Sequence, residues 1–368
     1  MKLAELFFER PAALQASLPP EERGLQRDEV RLLVSTANGH RHAYFHQLAD
    51  FLQPGDLLVV NRSATLPASL PAHGEVGDFL LNLSTNYGGG LWLAEPRWSA
   101  GQPGPLPLEP SEQILIAGIP ARLAAPYPAL PRLWFVQTEG DLCAAMARAG
   151  EPIRYGYVAG QFPLAAYQTL FAEIPGSAEM PSAGRPFTMR VLESVRRRGV
   201  KIAGLTLHTG VSSLEVSAET IEEQPLYAEP FHVPVGTARA VNAARAAGQR
   251  VIAVGTTVVR ALESAWDGQK VCPARGGAGG GGGAWGGAGE GQGHRRGGFF
   301  HRRYVHPGRG VHTVDGLITG FHDPLASHLA MLYAIAGADF VRDSYAEAVK
   351  HGYLWHEFGD SHLILPAA

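Results

Sequence analysis

Arg250-Val-Ile-Ala-Val-Gly-Thr-Thr-Val-Val-Arg-Ala-Leu-Glu-Ser-Ala-Trp266 passes from an apolar strand, Arg250 to Val254, through Gly255 into a helix from about Val258 to Trp266. A glycine at such a passage allows a tight turn, and the first turn of the helix leaves backbone N–H groups free to meet a ligand. Similar units precede it. Thr188 is placed to cap a helix running to Arg198, Gly199 ends it, and Val200-Lys-Ile-Ala-Gly-Leu-Thr-Leu207 reads as a buried strand. Thr237 precedes a second helix, Ala238 to Ala247, which Gly248 closes. Nearer the N-terminus, Arg31-Leu-Leu-Val-Ser35 and the end of Phe51-Leu-Gln-Pro-Gly-Asp-Leu-Leu-Val-Val60 read as strands, the second fed by a Pro-Gly-Asp turn. Downstream, His312 to Phe321 reads as a strand, and Pro324 to Ala336 and Ala338 to His351 as helices. Strands alternating with such helices predict an α/β domain on a mainly parallel sheet.

Between these strands the texture changes. From about Pro67 to Thr138, short apolar pieces such as Phe79-Leu-Leu-Asn-Leu83 and Gly90-Leu-Trp-Leu-Ala94 are broken by Gly and Pro. Turn signals recurring that often predict a small β-barrel or sandwich. The expected division is an α/β domain from residues 1–66 and 139–368, built from both ends of the chain and interrupted by a β-barrel domain at 67–138. Within the α/β part, Gly276 to Gly298 carries 14 glycines in 23 positions, which predicts a flexible loop. Arg295, Arg296, Arg302 and Arg303 near its end suit either phosphate contacts or simple solvation.

The 368-residue chain is 45% hydrophobic and 18% charged, and no run approaches the roughly 20 apolar residues of a membrane span. Glu5, Glu9 and Arg10 interrupt the apolar N-terminus, which excludes a secretory core there. Cys143 and Cys272 are far apart and form no CxxC pair, so a reducing cytoplasm is the expected compartment. His301, His306 and His312 lack compact ligand spacing, and no metal is expected. The net charge of −3 argues against binding nucleic acid through a bulk positive field, but permits a local basic patch such as Arg196-Arg-Arg198 with Lys201.

Ala253-Val-Gly-Thr-Thr-Val-Val-Arg-Ala-Leu-Glu-Ser264 resembles the V-G-T-T-x-V-R-x-L-E-S signature of the S-adenosylmethionine:tRNA ribosyltransferase-isomerase family. Further landmarks follow in that family's order: Pro54-Gly-Asp-Leu-Leu-Val-Val-Asn61, Tyr167-Gln168-Thr169, Ser182-Ala-Gly184, Thr206-Leu-His-Thr-Gly210, Phe321-His322 and Phe358-Gly-Asp360. The resemblance spans almost the whole chain and implies the same α/β domain with an inserted barrel. It also implies a reaction without metal, in which the ribosyl part of S-adenosylmethionine is joined to 7-aminomethyl-7-deazaguanine in tRNA. Epoxyqueuosine forms, adenine and methionine leave, and S-adenosylmethionine is a co-substrate with no other cofactor. Several polar positions differ from the family pattern. N-D-T-R becomes Asn61-Arg-Ser-Ala64, A-G-L-H-F-T becomes Ala183-Gly-Arg-Pro-Phe-Thr188, and H-R-M-H-x-E becomes Gln224-Pro-Leu-Tyr-Ala-Glu229. Two other readings therefore stay open: an enzyme using the same donor with another, small-molecule acceptor, and a non-catalytic binding protein on the same scaffold.

The expected site residues follow from these motifs. His208 ends a predicted strand, at the sheet edge where α/β domains place their sites, and suits acid or base work; a backbone carbonyl would satisfy it equally. Glu229 and His322 occupy matched positions and suit shared proton transfer, with exposed surface as the alternative. Gly255, Thr256 and Thr257 suit a methionine carboxylate at the helix N-terminus, unless a threonine merely caps the helix. Arg260 and Glu263 are expected to bind substrate or to pair with each other at i and i+3. Asp360 suits a ribose hydroxyl or an amine, or a local turn.

Overall fold

The computed structural model describes residues 1–211, 218–225, 227–276 and 305–366. The strands of the large sheet are β1 (Arg31–Thr36), β2 (Gly39–Tyr44) and β3 (Leu57–Asn61), followed far downstream by β12 (Lys201–Leu207), β13 (Phe231–Val233), β14 (Val251–Val254), β15 (Ala274–Gly276), β16 (Gly316–Gly320) and β17 (Ser361–Leu365). Short strands β4 (Ser63–Thr65) and β11 (Ile174–Ser177) pair with each other. Between them lie β5 (Ser69–Gly74), β6 (Gly77–Gly88), β7 (Leu91–Arg97), β8 (Gln113–Ile116), β9 (Ile119–Tyr127) and β10 (Leu130–Gln137), which close into a six-stranded barrel. The helices are α1 (Leu142–Ala149), α2 (Met189–Arg197), α3 (Val235–Ala246), α4 (Thr256–Ser264), α5 (Ser327–Ala336) and α6 (Ala338–Lys350).

The sheet order is β15-β13-β12-β3-β14-β16-β17-β1-β2. Apolar residues alternate between its faces: Leu57, Val59, Val251 and Ala253 meet α3, α4, α5 and α6, whereas Leu58, Val60, Ile252 and Val254 meet α2 and Phe45, Leu48 and Leu52. A strand covered on both sides must be apolar throughout, which is why Leu57-Leu-Val-Val60 reads as an unbroken run.

The expected α/β sheet is present, and its strand directions are mixed. β12, β3, β14 and β16 form a parallel centre, and β17 is parallel to β1, but β16–β17, β1–β2, β12–β13 and β13–β15 are antiparallel. Strand β17 follows β16 after two helices rather than one, so the chain re-enters running the opposite way. The strand expected over His312 to Phe321 is confined to β16, because Glu263 binds the backbone at 312 and 313 in place of a neighbouring strand.

One consequence positions the site. The C-terminal ends of β3, β12, β14 and β16 and the N-terminal end of β17 share one edge, as Leu205 opposite Asn61 and Gly320 opposite Ser361 establish. The barrel leaves and rejoins at this edge through β4 and β11. The expected flexible segment reaches only Gly276, at the end of β15, before its remaining residues, 277–298, fall outside those described, as do Arg295, Arg296, Arg302 and Arg303. No helix among the described residues is long and apolar enough to cross a membrane.

Candidate active site

Asn61, at the end of β3, ties three elements together. Its amide donates to Leu207 O at 2.8 Å and lies 3.4 Å from Thr257 Oγ1, while its carbonyl oxygen accepts from Leu207 N and Ser63 N, each at 3.1 Å. The ends of β3, β12 and α4 are thereby fixed relative to one another. The next residue of β12's exit, His208, shares a 2.7 Å hydrogen bond between Nδ1 and Ser63 Oγ, and Ser63 Oγ meets Ser177 Oγ at 2.6 Å. Ser177 also accepts from Thr209 N at 3.0 Å. Gly176 admits the ring: a Cβ there would stand 2.5 Å from His208 Nδ1. Burial pushes the imidazole down to about 4, so at neutral pH it is an uncharged base whose Nδ1 is held by Ser63, which Ser177 holds in turn.

Glu229 is buried rather than exposed, and reaches two of the other expected residues' elements. One carboxylate oxygen accepts from Gly210 N at 2.8 Å, and the other lies 2.5 Å from an Arg260 guanidinium nitrogen. The sequence offered a pair between Arg260 and Glu263; the structure gives Arg260 to Glu229 instead. Glu263 is fully buried and accepts from His312 N, Thr313 N and Thr313 Oγ1 at 2.8 to 2.9 Å, so it anchors the chain entering β16 to α4. Helix α4 begins earlier than expected, at Thr256, and its N-cap is Gly255 at φ 94 with no side chain supplying a cap. Thr256 and Thr257 therefore lie inside the helix, both buried, and neither acts as the cap. Ala183 packs directly over Gly255, as a Cβ on that glycine would meet the alanine methyl at 3.4 Å.

His322 follows β16 on the same edge. Its Nε2 shares a 3.0 Å hydrogen bond with Thr319 Oγ1, its N donates to Tyr345 OH, and its ring stacks on His328 at 4.6 Å. Burial first, then the neighbouring His328, His356 and His362, keeps it well below the usual histidine range. Arg260 adds to the burial that depresses His328 to about 4, which connects this pair of imidazoles to the Arg260–Glu229 pair.

Asp360, at the start of β17, is held firmly: Oδ1 accepts from Arg31 N, and Oδ2 accepts from the Arg31 guanidinium and Leu354 N, at 2.8 to 3.0 Å. It ties β1 to β17, and Oδ1, which accepts only from Arg31 N, keeps a second lone pair for a ligand. Beside it a polar cavity of about 20 Å³ is lined by Ser182, Arg185, Pro186, His356 and Glu357. Glu357 was absent from the sequence-level expectations. It is buried, one of its oxygens meets no hydrogen-bond donor, and burial outweighs the nearby Arg185 to push its carboxyl up to about 7. The barrel contributes as well, since Ser84 on β6 accepts from Val211 N at 3.0 Å beyond the Thr206-Leu-His-Thr-Gly210 stretch.

Thus His208 sits with Ser63 and Ser177, Glu229 with Arg260, and His322 with His328, all along one edge beside Gly255. Asp360 and Glu263 brace it from behind.

Residues 3–364 match the queuosine biosynthesis protein family. The chain belongs to that family. Curated relatives named S-adenosylmethionine:tRNA ribosyltransferase-isomerase include one from Thermus thermophilus, 36% identical over an alignment of 361 positions that covers 95% of this chain and 97% of the relative. Another, from Moorella thermoacetica, is 35% identical over 373 residues, covering 99% of this chain and all of the relative. The crystal structure of S-adenosylmethionine tRNA ribosyltransferase from Thermotoga maritima is 26% identical with a TM-score of 0.50, covering 98% of this chain and 100% of that one. Membership in a family of enzymes explains why matched motifs far apart in sequence return to one sheet edge.

Two neighbouring positions at which this chain departs from the quoted motifs line the small cavity. Arg185 and Pro186 replace the family's Leu-His pair and line the cavity with His356 and Glu357. Ser63, Ser177, His328 and Glu357 were missed by sequence reasoning. A signal existed for Ser63, which lies inside the quoted Asn61-Arg-Ser-Ala64 stretch, and for Glu357, which directly precedes Phe358-Gly-Asp360. Ser177 and His328 had none, because their meaning is the partner they reach across the fold.

Proposed function

We propose that this protein transfers and isomerises the ribosyl part of S-adenosylmethionine onto 7-aminomethyl-7-deazaguanine in tRNA, forming epoxyqueuosine and releasing adenine and methionine. The observation that carries this reading is His208: an uncharged imidazole, oriented by Ser63 and lying at the sheet edge beside an uncapped helix N-terminus. Abstraction of a proton next to a sulfonium needs a base that is unprotonated at neutral pH, and burial supplies it. In this reading the free N–H groups at the start of α4 receive the methionine carboxylate, which the helix dipole favours. Arg260 and Glu229 form one charged pair at this edge, and His322, stacked on His328, supplies an uncharged imidazole to the departing adenine. Glu263 and Asp360 act by positioning.

A second reading keeps the donor and changes the acceptor. It is favoured by Arg185 and Pro186, which stand where the family has Leu-His and face Glu357 across the small cavity. Incubation with S-adenosylmethionine and tRNA carrying the deazaguanine, with adenine followed by chromatography, tests both. Adenine release that requires tRNA supports the first reading, release with a small-molecule amine acceptor but not with tRNA supports the second, and absence of donor binding by the folded protein overturns both.

A further inference from the structure

On the far side of the sheet edge strand, two histidines and a carboxylate converge. His42 lies on β2, and Glu347 and His351 lie at i and i+4 around the C-terminal end of α6. His42 Nε2 is 3.1 Å from Glu347 Oε1, and His351 Nδ1 is 3.1 Å from the same oxygen and 3.1 Å from the Glu347 carbonyl oxygen, a hydrogen bond that an ion at Nδ1 would displace. The two rings stand 4.4 Å apart, and one ligand atom from each of the three residues falls within 4.8 Å of the others. Among the described residues this is the one group of three or more His, Cys, Asp and Glu side chains so arranged.

We propose that His42, Glu347 and His351 form a site for one divalent first-row transition ion, Zn²⁺ above all. Ligands about 2.0–2.1 Å from a tetrahedral ion stand about 3.3 Å from one another, close to the separations found here. Two imidazole nitrogens and one carboxylate oxygen suit zinc and its neighbours rather than Ca²⁺ or Mg²⁺, which take oxygen ligands. The site also has an outer partner. Tyr353 OH meets His42 Nδ1 at 2.9 Å, which fixes the ring and leaves Nε2 to face the ion. His42 and His351 side chains are each 40% exposed, so an ion can enter and a water can complete its coordination. Two cations stand near: Lys350 Nζ, 3.6 Å from Glu347 Oε2, sits on a side chain 72% exposed that is free to swing away, and Arg31 is turned to the His351 carbonyl oxygen and to Asp360.

The ion would act as a brace. It would join the outermost strand of the sheet to α6, and Tyr353 carries the Arg31 guanidinium over its ring at 4.3 Å, the same Arg31 that holds Asp360. Sequence patterning hides the group, because His42 and Glu347 are 305 positions apart.

The test is titration of the full chain, stripped with a chelator, with Co²⁺ followed by its visible absorption and with Zn²⁺ by equilibrium dialysis. One ion per chain should bind, and His42→Ala and His351→Ala should each weaken it by at least about 100-fold. Tyr353→Phe, which keeps the ring and removes only the outer hydrogen bond, should weaken it by about 10-fold. Far-ultraviolet circular dichroism identifies any variant that fails to fold, and Glu347→Gln then replaces it. Zn²⁺ should raise the melting temperature of the unmodified chain and not that of His351→Ala. No stoichiometric binding to the unmodified chain, or binding equally tight in folded His42→Ala and His351→Ala, would overturn the site and leave a hydrogen-bonded cluster.

Discussion

Arg260 reaches out of α4 to within 2.5 Å of Glu229, a carboxylate 3% exposed, whose other oxygen is bound by the Gly210 backbone. The contact joins the strand-to-helix turn after β14 to the approach to β13, so the two halves of the candidate site share one charge pair. A buried carboxylate left with a single hydrogen bond is far less stable than a paired one. Arg260→Ala should lower the unfolding free energy by about 3 kcal/mol, and Arg260→Ala with Glu229→Ala should recover part of that loss, because no buried charge is then left alone. Urea melts of the two singles and the double form the cycle; additive losses would show that the pair is not coupled.

Donor affinity is a separate readout of the same residue. Should Arg260 also touch the donor, calorimetry on Arg260→Ala should show S-adenosylmethionine binding weakened by roughly 1.5 to 3 kcal/mol, the scale of a charge-assisted hydrogen bond. Unchanged affinity would confine Arg260 to positioning Glu229.

His208 gives the kinetic prediction. As a base held by Ser63, its replacement by Ala should lower kcat for adenine release by about 10²- to 10⁴-fold while leaving donor affinity nearly intact. Because burial depresses this imidazole to about 4, the acid limb of the kcat profile should fall near that pH rather than near the 6.5 of free histidine. An acid limb near 6.5 would assign the base to another group.

Much of this was legible in the sequence, and the limits are instructive. Leu57-Leu-Val-Val60 and Val251-Ile-Ala-Val254 announce strands buried on both faces, and Thr188 does cap α2 through its side chain, accepting from Val191 N. Strand direction was not legible: nothing in Ser361-His-Leu-Ile-Leu365 tells that β17 runs against β16, since apolar content is the same either way. A motif could place a candidate residue at a strand end, as Thr206-Leu-His208 places His208 at the exit of β12. Remote partners were not legible: i, i+3 spacing offered Arg260 with Glu263 as an alternative to binding, whereas the fold pairs Arg260 with Glu229 and Glu263 with Thr313.

Acid stability follows from the buried imidazoles. His208 and His328 are pushed down to about 4 and His362 to about 3, each first by burial. A histidine whose folded pKa is depressed disfavours protonation only in the native state. Its stabilising effect is therefore complete above pH 6.5 and is lost as the pH falls toward 4. Near pH 5 these three groups should take up about three protons on unfolding, each contributing on the order of 1 kcal/mol per pH unit. Melting temperatures recorded from pH 7 down to 4 should fall steeply, with a shallower slope for His208→Gln; identical slopes would mean that His208 is readily protonated in the native protein.

Glu357 predicts the opposite sign at the other end of the range. Its folded pKa, about 7, lies above the ordinary 4.5, so the native state favours the neutral acid. Below pH 4.5 the carboxyl is neutral in both states and has no net effect, whereas above 4.5 the unfolded chain releases the proton more readily, and native stability declines until the pH passes 7. Glutamine has the shape of the protonated acid, and its amide supplies donors to a cavity where one oxygen of Glu357 now meets none. Glu357→Gln should therefore match the unmodified protein at pH 4.5 and exceed it by as much as about 3 kcal/mol at pH 8, read from urea midpoints at the two pH values. A variant less stable at both pH values would mean that the carboxylate is ionised and partnered in the folded protein, and that Arg185, on the wall of the same cavity, is the group that partners it.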